Sequence, residues 1–156
     1  MYKAIAIALL ALFAFQPKVE PLNMQQLENA TLKKNNDTLF VVNFWATWCK
    51  PCVNEMPYFQ KASKEFAGQK VKVVFVSLNS IKEIQQVEKF VADKSVNEDV
   101  KLLNAGNPNN WIDTIDNSWS GAIPATAMYR NGKKTYFREG EFTQSQLDSI
   151  IHNKIQ

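Results

Sequence analysis

Apolar residues run almost without interruption from Thr38 to Trp45 and again from Val71 to Leu78, rich in Val and Phe, as strands buried on both faces of a sheet do. Between them the period lengthens. Lys50 to Ala67 predicts a helix whose amphipathic pattern continues through Tyr58, Phe59, Ala62 and Phe66, with Gly68 as its stop. Pro57 falls inside it and should kink the axis, because a proline there removes a backbone hydrogen bond. A strand, a helix and a second buried strand imply a right-handed crossover and a parallel central pair.

The flanking segments are punctuated by caps. Asn23 with Gln26 opens a helix whose stripe is Leu27, Ala30 and Leu32, and a polar loop over Lys33 to Asp37 leads into the first strand. Ser80 and Glu83 form a capping box ahead of Ile84, Val87 and Val91, predicting a helix from Ile81 to Lys94. A short strand near Val100 to Leu103, a polar turn over Asn104 to Asn110, and one or two helical turns at Trp111, Ile112 and Ile115 come next. Asn131-Gly132 is a strong hairpin turn between Ala127-Met128-Tyr129 and Thr135-Tyr136-Phe137. Thr143 and Gln146 cap a last helix with Leu147, Ile150, Ile151 and Ile155 on one face, and His152 on its flank.

The candidate chemistry sits at the first strand-to-helix junction, where the only two cysteines, Cys49 and Cys52, stand two residues apart. That spacing lets two thiols close a small disulfide ring. A helix start supplies unpaired N–H groups and a partial positive charge that favour a thiolate. Cys49 is the outer thiol and the candidate nucleophile; Lys50 adds a cation, and Pro51 suits the first helical turn. A zinc site competes poorly, since it needs about four ligands and His152 is the only histidine. A static structural disulfide is the other reading, weakened because so short a loop gains little from closure.

Composition narrows the setting. With 156 residues and 46% hydrophobic content the chain suffices for one domain. A net charge of +3 without a basic stripe argues against nucleic acid as a partner. Residues 1–15 stand apart: Met1-Tyr2-Lys3 precedes a run from Ala4 to Phe15, the layout of an export signal or an N-terminal membrane tether, with the folded domain at 17–156. As a helix the run would span about 18 Å, short of the ~30 Å hydrocarbon core, which favours cleavage. An exported chain whose whole cysteine content is one Cys-x-x-Cys suggests chemistry more than stapling.

Trp45-Ala46-Thr47-Trp48-Cys49-Lys50-Pro51-Cys52, with Asn43, Glu55 and Pro57, resembles the active-site motif of the thioredoxin superfamily, and within it the TlpA-like, ResA-type extracytoplasmic branch. The resemblance implies an α/β, thioredoxin-like fold: a central mixed sheet flanked by helices, with an insertion in the middle that would shape the substrate site or merely extend the core. It implies that Ile123-Pro124 is a cis-proline loop facing the cysteines and docking substrate backbone, although Ala125 follows where threonine is usual. It gives Gly140 a place near the end of the last strand, close to the site. It makes Trp48, Lys50 and Pro51 substrate contacts alongside Ile123 and Pro124. In this reading Cys49 attacks a partner disulfide and Cys52 resolves the mixed disulfide. Asn43 cannot take the Cys52 proton, so Glu55 is the candidate acceptor.

The resemblance further implies a periplasmic or envelope reductase that needs no cofactor beyond the Cys49–Cys52 disulfide and binds no metal. Its partners would be oxidised envelope proteins, apocytochromes c among them, and a membrane electron donor; a monomer is expected. Three alternatives stand beside it: a disulfide oxidase or isomerase of the same fold, a thiol peroxidase, and a non-enzymatic metal-binding module.

Overall fold

The computed structural model describes residues 18–156, so the export-signal reading of residues 1–15 lies outside the described residues. Among the described residues no helix is long and apolar enough to cross a membrane. Among the described residues six strands form one mixed sheet, in the spatial order β1 (Glu20–Leu22), β4 (Asp99–Leu103), β3 (Val71–Ser77), β2 (Leu39–Trp45), β5 (Ala125–Arg130), β6 (Lys133–Glu139). β2 (Leu39–Trp45) and β3 (Val71–Ser77) are the parallel central pair, joined through helix α2 (Lys50–Glu65). β4 (Asp99–Leu103) lies parallel to β3, while β5 (Ala125–Arg130) and β6 (Lys133–Glu139) form an antiparallel hairpin against β2. Asn131 and Gly132 both have positive φ in its turn, which a tight hairpin requires.

Two cores follow from the pleat of β2, every residue of which is buried. Leu39, Val41 and Trp45 face α2, α3 (Ile84–Asp93) and α5 (Gln144–Ile155), where Phe59, Val87, Val91, Leu147 and Ile151 pack. Phe40, Val42 and Phe44 face the other side, against α1 (Met24–Leu27) and α4 (Ile112–Ile115), where Leu27, Ile115, Trp111 and Trp119 pack. The segment between β4 and β5 is where the resemblance placed an insertion. It supplies a 3-10 turn at Pro108–Asn110, α4 and the two tryptophans, whose rings meet edge-on at 5.8 Å.

Three details depart from the sequence reading. β1 (Glu20–Leu22) was not foreseen; it is three residues long with Pro21 at its centre, which an edge strand tolerates because it pairs on one side only, with β4. After Leu27 the first helix loosens into a π-helical turn, Glu28–Leu32, closed by Lys33 N–H donating to the Glu28 carbonyl at 2.7 Å. The extra residue in that turn rotates the buried stripe to Thr31 and Leu32 and leaves Ala30 exposed. In α2 the buried positions are Cys52, Glu55, Met56, Phe59 and Ala62, and Tyr58 lies on the outer face.

Candidate active site

β2 delivers Asn43 and Trp45 into the α2 side of the core and then leaves the sheet, and the turn it makes is tightly specified. Cys49 N–H donates to the Ala46 carbonyl at 3.1 Å, and Leu78 N–H to the Trp45 carbonyl at 2.8 Å. Asn79, buried just after β3, fills the space between. Its Oδ1 accepts from Thr47 N–H at 3.0 Å and from the Ser77 hydroxyl at 2.9 Å, and its Nδ2 donates to Thr47 Oγ1 at 2.8 Å and to Glu83 at 3.3 Å. Both halves of the amide are thus saturated. One buried side chain ties the cysteine turn to the start of α3.

Cys49 is the N-cap of α2: its backbone is extended and its Sγ accepts from Cys52 N–H at 3.3 Å. The sulfur therefore stands where a serine or aspartate oxygen caps other helices, against the unpaired N–H groups of the first turn. Cys49 and Cys52 are joined by a disulfide, with Cα atoms 5.3 Å apart. Trp48 beside them is 66% exposed, Lys50 is exposed on the first turn of α2, and Pro51 is half-buried.

The Ile123–Pro124 bond is cis, and the Ile123 carbonyl oxygen lies 3.7 Å from Cys49 Sγ. In the dithiol form a Cys49 S–H can donate to that oxygen. The loop is anchored on three sides. Trp119 Nε1 donates to the Ala122 carbonyl at 2.8 Å, Glu139 accepts from the Ser120 N–H and hydroxyl at 2.8 and 2.9 Å, and Gly140 N–H donates to the Pro124 carbonyl at 2.8 Å. Gly140 has φ +106, and a Cβ there would meet nothing within 4 Å, so the position calls for glycine by its backbone conformation and not by crowding.

Glu55, one helical turn beyond Cys52 and on the same buried stripe, is 1% exposed. Its Oε1 accepts from Asn43 Nδ2 at 3.0 Å and its Oε2 from Phe142 N–H at 2.8 Å, while Asn43 Nδ2 also donates to Thr126 Oγ1 at 3.1 Å. Phe142 is placed by its own ring, which packs edge-on against Phe59 at 6.1 Å. Burial is the largest influence on the Glu55 carboxyl and overrides the two hydrogen bonds, pushing its pKa up to about 7. The group can therefore take or give a proton near neutrality. Asn43, which cannot accept a proton, acts here as a donor that fixes the carboxylate.

The structure thus brings Cys49, Cys52, Ile123, Pro124 and Glu55 to one end of the sheet and leaves Trp48 and Lys50 on the rim. Sequence reasoning missed Asn79, Thr126, Phe142 and Glu139, which hold the site without touching sulfur. Only Asn79 left a trace, as a polar residue following a buried strand. Among the described residues no group of three or more His, Cys, Asp or Glu side chains is placed to hold a metal ion.

A model of the AhpC/TSA family matches residues 14–127. Among curated relatives, "Thioredoxin-like protein YneN" of Bacillus subtilis is 39% identical over 66 residues, 42% of this chain and 38% of that protein. "Thiol-disulfide oxidoreductase ResA" of the same organism is 31% identical over 135 residues, 86% of this chain and 69% of that protein. Among solved structures, StoA from Bacillus subtilis superimposes with a TM-score of 0.59 at 26% identity, over 74% of this chain and 83% of that one. The chain thus spans less than half of the first relative and about two thirds of the second.

Proposed function

The chain belongs to the AhpC/TSA family, with a thioredoxin-like domain, and from that premise we propose that it is a thiol-disulfide oxidoreductase acting on proteins, in the direction of reduction, in the cell envelope. The observation that carries the reading is the Cys49 sulfur at the N-cap of α2, 3.7 Å from the Ile123 carbonyl of the cis-proline loop and bonded to Cys52, with Glu55 one helical turn further along α2. The apolar run of residues 4–15 and the likeness to ResA support the envelope; the Lys50-Pro51 dipeptide and the Asn43–Glu55 pairing support reduction.

In this account the Cys49 thiolate attacks one sulfur of a client disulfide. A Cys49–client bond forms, the client S–S bond breaks, and the other client sulfur leaves as a thiolate. Trp48, Lys50, Pro51, Ile123 and Pro124 contact the client around that bond. Cys52 passes its proton to Glu55 and attacks Cys49 Sγ; the Cys49–Cys52 bond forms and the second client thiolate leaves. The client has gained two electrons and the pair has lost two, so a dithiol donor must restore the pair, for which a membrane-held reductant is the proposed source. Apocytochromes c are the client class that the motif's resemblance to the ResA-type branch implies.

The test is Cys52→Ala in the native envelope. A mixed disulfide on Cys49 that dithiothreitol releases, joined to proteins whose cysteines become oxidised when the chain is missing, supports the proposal. Failure to capture any protein would contradict it. Capture of clients that become reduced when the chain is missing would favour the oxidase reading.

A further inference from the structure

α2 and α3 enclose a groove that plays no part in the sulfur chemistry described above. It begins with a hollow of about 110 Å³ whose walls include Val53, Met56, Pro57 and Phe90. It widens into a second hollow of about 410 Å³ walled by Lys61, Lys64 and Lys94, and the two share Pro57, Gln60 and Lys94. None of the three lysines is in an ion pair among the described residues, which is equally true of Lys34, Lys50, Lys82, Lys133 and Lys154; what sets these three apart is that they wall one hollow. Two of them stand at helix C-termini, which favour cations. That preference does not explain why Lys61 converges on the same hollow.

We infer that this groove docks an acidic segment of a redox partner protein, with one apolar side chain in the hollow beside Val53 and Phe90 and carboxylates against Lys61, Lys64 and Lys94. The charge of the wide end selects acidic chains over basic ones. The narrow end is the size of one leucine-like or aromatic side chain. The groove shares no lining residue with the Ile123–Pro124 loop, so a partner held here leaves that loop free. The inference rests on the proposed function only in calling the occupant a redox partner.

The two can fail separately. Noncovalent docking is read by fluorescence anisotropy on the full chain carrying Cys49→Ser and Cys52→Ser, with a labelled peptide of alternating Asp and Glu around one Trp. A Lys/Arg peptide of the same length and vesicles of phosphatidylglycerol serve as competing probes. The acidic peptide should bind, weaken with added NaCl, and lose affinity by about tenfold or more in K61E/K64E/K94E. Val53→Phe, which fills the narrow hollow and spares the lysines, should weaken it too. Equal binding by the charge-reversed chain, no binding of the acidic peptide, or vesicle binding in its place would overturn the inference. The proposed function is read independently, from exchange between the cysteine-intact chain and oxidised glutathione, which K61E/K64E/K94E should leave unchanged. Loss of that exchange in K61E/K64E/K94E would show that the reversal disturbs the fold, and would count against assigning the lysines to docking.

Discussion

β2 presents two faces one residue out of step, and they have opposite tasks. Phe40, Val42 and Phe44 lie in an unbroken apolar layer, where Phe44 stacks at 4.9 Å on Trp119. Leu39, Val41 and Trp45 belong to an equally dry layer, but Asn43 among them is polar and reaches Glu55. A buried carboxyl is costly unless its hydrogen-bonding capacity is met. Here Asn43, held in turn by Thr126, and the Phe142 amide meet it, from β2, β5 and the loop that follows β6. The difference teaches where reactivity is tolerated in this fold: one face supplies rigidity, and the other accepts a titrating group only where two strands and a loop converge to hold it.

The contrast can be broken at several points. Cys49→Ser should reduce disulfide exchange by at least about 10³-fold in a dithiothreitol-coupled assay, with the thermal midpoint of the reduced protein little changed. Phe44→Ala should do the reverse. It should cost about 3–5 kcal/mol in urea unfolding through the cavity left against Trp119, while exchange per folded molecule stays near normal. If both variants lost stability and exchange together, the two faces would not be separable.

Glu55 sharpens the comparison through pH. Its folded pKa of about 7 stands above the ordinary 4.5, so the native state holds a proton that the unfolded chain releases across that window. Stability should therefore fall as pH rises from about 4.5 to about 7, by up to ~3 kcal/mol, and stay lower above it. Glu55→Gln should flatten that slope in denaturant titrations. The same variant should remove the rise in the Cys52 resolving step near pH 7, measured as release of client from the mixed disulfide. An unchanged profile would sink the proposed proton transfer.

Asn79→Ala is subtler, because it leaves Thr47 N–H without its acceptor; a loss of about 1–3 kcal/mol is expected, with slower exchange at saturating dithiol. Trp48→Ala, on the rim, should change stability by no more than about 0.5 kcal/mol while weakening apparent affinity for protein clients.

What was legible in the chain follows the same division. Strong local chemistry announced itself: the apolar runs of β2 and β3, the Asn23–Gln26, Ser80–Glu83 and Thr143–Gln146 caps, and the Asn131-Gly132 turn all stand where the residues placed them. The resemblance, and no local signal, pointed to Ile123-Pro124 as cis, which the geometry matches. Elements decided by distant contacts were not legible. β1 exists because β4 offers an edge to Glu20–Leu22, and the π turn after Leu27 shifts a stripe that a 3.6-residue period would have put on Ala30. Asn79, Thr126 and Phe142 reach the site from elements far apart in sequence, so spacing alone could not gather them.

The most direct test equilibrates the protein with graded mixtures of reduced and oxidised glutathione and quantifies free Cys49 and Cys52 thiols by alkylation and mass spectrometry. A reversible two-electron transition, with both thiols lost together at a potential toward the reducing end of the roughly −270 to −120 mV span of dithiol oxidoreductases, is the predicted result. A pair that stays fully bonded or fully open across the series, or reacts one thiol at a time, would contradict the claim that these two sulfurs cycle.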